Sequence, residues 1–133
     1  MSRLKVVFVV DPDPVSRRET VRTLLRPGWS FRSCDDAHQL WADLEQLRPD
    51  LVVAELALPG VDGIALSRAL HQRDPSIRTI LVAGGEMPDV ARRALREGIV
   101  DGLAAKPLNG TFVRMARQLL GESPLDDTAA FLR

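Results

Sequence analysis

Apolar residues in this chain come in short bursts separated by polar, proline- and glycine-bearing stretches. Leu4-Lys5-Val6-Val7-Phe8-Val9-Val10 is nearly continuous and β-branched, and it breaks at Asp11-Pro12-Asp13-Pro14. A strand buried on both faces reads this way, as in a parallel sheet covered by helices; a half-exposed strand would alternate. Leu51-Val52-Val53-Ala54, ending at Glu55, and Thr79-Ile80-Leu81-Val82, followed by Ala83, repeat the pattern. Trp29–Cys34 and Gly102–Ala105 are weaker runs that supply a second and a fifth strand.

Between these runs apolar residues recur at helical spacing. Asp13 is placed to cap a first helix with Pro14 at its first position, where a missing N–H costs nothing. Val15, Val21, Leu24 and Leu25 form its stripe, and Pro27-Gly28 ends it. Asp35 or Asp36 opens a second helix carrying Leu40, Trp41, Leu44 and Leu47, closed by Pro49. The loop Leu58-Pro59-Gly60-Val61-Asp62-Gly63 leads into a third with Ile64, Leu66 and Leu70. Pro88–Glu97 is a short Arg-rich fourth helix, and Asn109–Leu120, with Phe112, Met115, Leu119 and Leu120, a fifth.

Five strands alternating with five helices predict a three-layer, doubly wound α/β domain with a parallel sheet over residues 1–120. Right-handed crossovers gather functional groups at the carboxyl ends of such strands, so Asp11, Glu55, Ala83 and Lys106 are expected to line one crevice. Residues 121–133 form a tail. Gly121-Glu122-Ser123-Pro124 stops the fifth helix, and Leu125 onward reads as the start of a linker or helix toward a further, output domain.

Composition narrows the function. Eighteen basic and eighteen acidic residues give zero formal net charge, so no global field draws the domain to nucleic acid or an anionic membrane. No apolar run approaches bilayer length and no secretory leader opens the chain; the cytoplasm is the expected compartment. Cys34, the single cysteine, excludes an internal disulfide framework and reads as a packed thiol. His38 and His71 lie on predicted exposed helix faces without metal-ligand spacing. Gly84-Gly85-Glu86 lacks the lysine or glycine spacing of a phosphate-binding loop, and no Ser-His-Asp or Cys-His arrangement is legible.

Val9-Val10-Asp11-Pro12-Asp13-Pro14, the stretch Pro49–Gly63 and Lys106-Pro107 together resemble a response-regulator receiver domain, and the resemblance covers roughly residues 4–120. It implies a flavodoxin-like sheet of order 2-1-3-4-5. It also implies a chemistry: an aspartate ending the third strand accepts a phosphoryl group, and two acids after the first strand help hold Mg²⁺. A hydroxyl ending the fourth strand and a lysine after the fifth bind phosphoryl oxygens, while an aromatic on the fifth strand reports the state.

The match is partial. Asp11 and Lys106 agree with the pattern, but Pro12 stands at the second acid, Glu55 at the phosphoacceptor, Ala83 at the hydroxyl and Leu103 at the aromatic. Glu55 carries an extra methylene, which moves its carboxylate off the in-line geometry of phosphoryl transfer. The resemblance with these departures implies a degenerate, pseudo-receiver site, no cofactor, no enzymatic activity and a phosphorylation-independent interaction module. A weak Mg²⁺ site at Asp11, Asp13 and Glu55 remains an alternative, as does a weak phosphoacceptor at Glu55 or Asp13, or a small-ligand or nucleotide sensor in the vacated crevice. Glu55 reaching Lys106 reads either as a frozen mimic of the modified state or as a salt bridge filling a disused pocket. Arg92, Arg93, Arg96, Arg114 and Arg117 around Leu103 read either as solvated helix faces or, on what the resemblance implies, as a docking face suited to a protein partner or self-association rather than to nucleic acid or membrane.

Overall fold

The computed structural model describes residues 3–122. Five parallel strands, β1 (Lys5–Val10), β2 (Trp29–Cys34), β3 (Leu51–Glu55), β4 (Arg78–Ala83) and β5 (Gly102–Ala105), form one sheet in the order β2-β1-β3-β4-β5. Parallel pairing runs through Val9↔Val53 and Val53↔Ile80, which aligns the carboxyl ends of β1, β3 and β4. This is the doubly wound, flavodoxin-like architecture predicted from the strand–helix alternation and the resemblance.

The helices α1 (Pro14–Leu24), α2 (Ala37–Leu44), α3 (Gly63–Arg73), α4 (Asp89–Arg96) and α5 (Gly110–Leu119) cover both faces. Residues alternate along each strand, so Phe8, Val10, Val52, Ala54 and Leu81 pack with α2, α3 and α4, while Val7, Val9, Leu51, Val53, Ile80 and Val82 pack with α1 and α5. The nearly continuous apolar strands of the sequence therefore serve two cores at once. Four helices start on a side chain that accepts a backbone N–H: Asp13, Asp36, Asp62 and Asn109. Each satisfies a donor that the first turn would otherwise leave unpaired.

Several expectations are corrected. Val15 and Leu25 are not part of the α1 stripe; they are 58% and 65% exposed. Val15 lies nine residues, or two and a half turns, before the buried Leu24 and so faces the opposite way, and Leu25 lies past the last helical residue. Thr20 takes the buried place one turn before Leu24. The stretch read as a loop before α3 contains a short antiparallel hairpin, Ala57–Leu58 with Val61–Asp62, turned by Gly60 at φ +78°. Glycine adopts that conformation without the Cβ penalty. His71 is half-buried rather than exposed, and its Nδ1 has no hydrogen-bond partner among the described residues. The expected linker or helix after residue 122 lies outside the described residues.

Candidate functional site

The crevice at the carboxyl ends of the strands is built by chain reversals. β1 ends at Val10, and Asp11 follows into the turn, 3% exposed, its carboxylate accepting the Asp13 amide at 2.9 Å. Glu55 is the last residue of β3, and Lys106 follows β5, its amide bonded to the Ala83 carbonyl at 3.0 Å. Lys106 precedes a cis-proline bond to Pro107.

These backbone positions bring Asp11, Glu55 and Lys106 together. The Lys106 ammonium makes a direct ion pair with Glu55 Oε1 and lies 3.7 Å from Asp11 Oδ2. A fourth residue joins them that sequence reasoning missed: Ser16, on the first turn of α1. Its hydroxyl accepts from Lys106 Nζ and lies 3.5 Å from Glu55 Oε1. Ser16 stands three residues after the Asp13 cap, and this spacing of nearly one turn is the only sequence signal that it faces the crevice.

Glu55 is the electrostatic centre of the cluster. Burial pushes its carboxyl up, the Lys106 hydrogen bond pulls it down, and the neighbouring Asp11 pushes it up again; the net position is above the ordinary carboxylate value. One ammonium between two carboxylates leaves the group with one uncompensated negative charge. A low-dielectric crevice answers such an imbalance by favouring protonation of one acid.

The remaining predicted site residues are not part of this cluster. Pro12 is exposed and offers no ligand. Asp13 caps α1, its Oδ1 accepting the Val15 amide at 3.0 Å, and it borders the cleft that Ser16 and Lys106 also line. Ala83 is buried in register with Ala105 and carries no hydroxyl. The donor set does not fit Mg²⁺: a hard cation of octahedral preference wants several free oxygens, whereas Glu55 and Asp11 both face the Lys106 ammonium. Among the described residues no group of three or more His, Cys, Asp or Glu side chains is placed to hold a metal. Asp13, the third member of that alternative set with Asp11 and Glu55, spends one carboxylate oxygen on the α1 cap.

Beside the crevice, a cleft of about 430 Å³ runs between α1 and the segment Lys106-Pro107-Leu108. Ser16 and Lys106 line it, together with Glu19, Thr20 and Thr23. The bond between Ser16 and Lys106 therefore separates the acidic crevice from an open groove on the α1 side.

The arginine face is partly corrected. β5 is an edge strand, with α4 on one face and α5 on the other. Leu103 packs half-buried toward the core under α3 and α4. Arg92, Arg93, Arg96 and Arg114 are exposed; Arg92 and Arg93 pair within their own helix, with Asp89 and Glu97, both at 3.3 Å. Arg117 does not belong to this face. It is buried, and its Nε donates to Glu122 Oε2 at 2.8 Å because the chain reverses at Gly121 and brings Glu122 back beneath α5.

Cys34 is buried, as its sequence setting implies. Its thiol lies 3.5 Å from Asp43 Oδ2 and is pushed up to about 12 by burial and by the Asp43 carboxylate. A thiol held that far up is inert as a nucleophile.

Known proteins share both the fold and the sequence. Over 100 residues the chain is 38% identical to the C4-dicarboxylate transport transcriptional regulatory protein DctD of Pseudomonas aeruginosa, covering 73% of this chain and 21% of that protein. It is 30% identical over 98 residues to the DNA-binding transcriptional regulator NtrC of Salmonella typhimurium, covering 74% of this chain and 21% of that protein. The chain thus spans about a fifth of the length of these curated relatives. Among solved structures, the signal receiver domain of an HD domain-containing protein from Pseudomonas fluorescens superposes with a TM-score of 0.81 at 27% identity, covering 90% of this chain and 96% of that one. Residues 7–115 match the response regulator receiver domain as a family. With the five-stranded parallel sheet and the strand-end crevice in place, the chain belongs to the response regulator receiver domain family.

Proposed function

We propose that this receiver domain works without a phosphorylation cycle, as a non-enzymatic interaction module of a cytoplasmic signalling protein. One observation carries the reading: the Lys106 ammonium is already held by Glu55 and Ser16. A phosphoryl group arriving in this crevice would have to displace that pairing. It would meet the Asp11 carboxylate and find neither a hydroxyl at Ala83 nor a second acid at Pro12. Phosphoryl transfer depends on positioning and on neutralising charge, and both are impaired here.

The module's partner is a protein met through the α4–β5–α5 edge. Arg92, Arg93, Arg96 and Arg114 give that edge a cationic rim suited to an acidic surface. Among the described residues no helix is long and apolar enough to cross a membrane. The relatives named as transcriptional regulators support placing the domain in a larger regulator, with any DNA contact made outside it.

Incubation with a small phosphodonor and Mg²⁺, followed by intact-mass measurement, tests the reading. The expected result is an unmodified mass. A stoichiometric phosphoryl adduct, mapped to Glu55 or Asp13, overturns it.

The cleft between α1 and Lys106-Pro107-Leu108 favours a second reading, a small-ligand sensor. Its volume of about 430 Å³ is of the size that holds a small molecule. A nucleotide that raised the melting temperature in a concentration-dependent way would favour this reading over the first.

A further inference from the structure

The second concentration of charge in the domain lies where the described chain ends, at the opposite end of the sheet from the crevice. Glu122 follows Gly121, whose φ of +77° reverses the chain after α5. The amides of Gly121 and Glu122 donate to the carbonyls of Gln118 and Arg117 at 3.0 and 2.9 Å, which closes the helix end. That alone would terminate α5. The Glu122 side chain does more: it accepts the indole N–H of Trp29 at Oε1 and the Arg117 Nε at Oε2, with Arg26 NH1 at 3.9 Å.

These partners come from separate elements. Arg26 lies just after α1, Trp29 opens β2, and Arg117 belongs to α5. The Arg26 guanidinium lies over the Trp29 ring, 5.2 Å from its centroid, and the Trp29 amide bonds to the Arg26 carbonyl. Trp29 and Arg117 are both buried. One carboxylate thus draws two guanidiniums and an indole into a partly buried cluster. Gathering two cations in such a place costs free energy unless a carboxylate completes the set. The helix end is already closed by the Gly121 turn, so these contacts tie it to elements beyond α5.

We propose that Glu122 is an exit clasp: it pins the exit of α5, the turn at Gly121 and Glu122, to the α1–β2 corner through Trp29, Arg26 and Arg117. Movement of that corner is then passed to the end of α5, and this exit cannot swing independently of the sheet. The clasp residues are remote from Lys106, and their pairing is independent of how the crevice works.

The test uses the full chain in four forms: unaltered, Glu122→Gln, Trp29→Phe and, as an exposed ion-pair control, Glu97→Gln. Two readouts report the exit: hydrogen exchange of the Gly121 and Glu122 amides, and anisotropy of a dye on a cysteine added after Arg133. Cys34 is buried with a thiol pushed to about 12, so it does not compete for the label. The expected result is at least a tenfold rise in exchange at both amides and a fall in anisotropy for Glu122→Gln and Trp29→Phe. Glu97→Gln should behave as the unaltered chain. A lowered melting temperature with unchanged exit exchange and anisotropy overturns the proposal, because the cluster would then be a stabilising contact only. If Trp29→Phe fails to fold, Glu122→Gln decides alone, since it preserves side-chain volume.

Discussion

The two ends of the sheet carry carboxylates in opposite electrostatic conditions. At the amino-terminal end of the strands, Asp50 and Asp101 stitch the backbone: Asp50 Oδ2 accepts the Val6 amide at 2.8 Å, and Asp101 Oδ2 accepts the Thr79 amide at 2.9 Å. Burial pushes the Asp50 carboxyl up, but Arg3, the Val6 amide and Arg48 together outweigh it and hold it below the ordinary value. At the carboxyl-terminal end, Glu55 shares one lysine with Asp11 and is held above the ordinary value. The first arrangement is how a fold uses an acid, with both oxygens of each carboxylate facing donors. The second is how a site stores an unbalanced charge, and strand-end crevices are where α/β folds place their chemistry.

The largest expected effect tests whether packing or charge maintains the crevice. Gly63 starts α3 against the end of β3, and a Cβ there would lie 2.7 Å from the Glu55 carbonyl oxygen and 2.8 Å from Leu81 Cδ2. Gly63→Ala should therefore destabilise by about 3 kcal/mol, the upper part of the overpacking range. Urea unfolding measures it; a loss no larger than that of a surface substitution would show that the crevice wall yields freely.

Lys106→Met comes next. It leaves Glu55 and Asp11 facing each other without their cation, at a cost of about 2 kcal/mol, below the full buried-pair figure because the crevice is partly open. The loss should shrink as pH falls from 7 toward the ordinary glutamate value of 4.5, since protonating one acid removes the repulsion.

Asp50→Asn should cost about 1 kcal/mol at neutral pH, mostly through the partly buried bond to the Val6 amide, because Arg3 is solvent-exposed. Its pH dependence is the reverse of that at Glu55. A carboxyl held below its unfolded value contributes stability above that value, and the contribution is lost as pH falls through the depressed one. A carboxyl held above its unfolded value instead makes the fold gain stability as pH falls toward it. Measured against Asp50→Asn and Glu55→Gln, the unaltered protein should lose its advantage over the first below pH 3.8 and gain on the second between pH 7 and 4.5. Parallel slopes for both variants would abolish the contrast between the two ends.

The smallest effect is at the docking edge. Arg93→Ala removes an exposed pair with Glu97 and should change stability by less than about 0.5 kcal/mol. The same change should weaken capture of an acidic partner in a way that salt reverses.

Much of this was legible in the sequence, and the reason is local. β-Branched runs bounded by Pro, Gly and Asp specify buried strands, and Asp13-Pro14 specifies the start of α1, because these preferences act within a few residues. The strand ends then placed Asp11, Glu55 and Lys106 at one crevice, since a parallel sheet with right-handed crossovers leaves few other arrangements. What helical spacing alone could not resolve was orientation. Val15 and Leu25 look like core residues and are exposed, while Arg117 looks like a surface residue and is buried.

Element order, the two-sided burial of the central strands and the family of the chain were all readable from patterns a few residues long. Which side chains complete each charged cluster was settled by packing instead. Ser16 meets Lys106 across 90 residues of chain, and Trp29 meets Glu122 across 93. No local preference encodes such meetings; they follow from where packed elements bring their ends. Burial then raises the energetic weight of each pairing, because a charge taken out of water must find its partner within the fold.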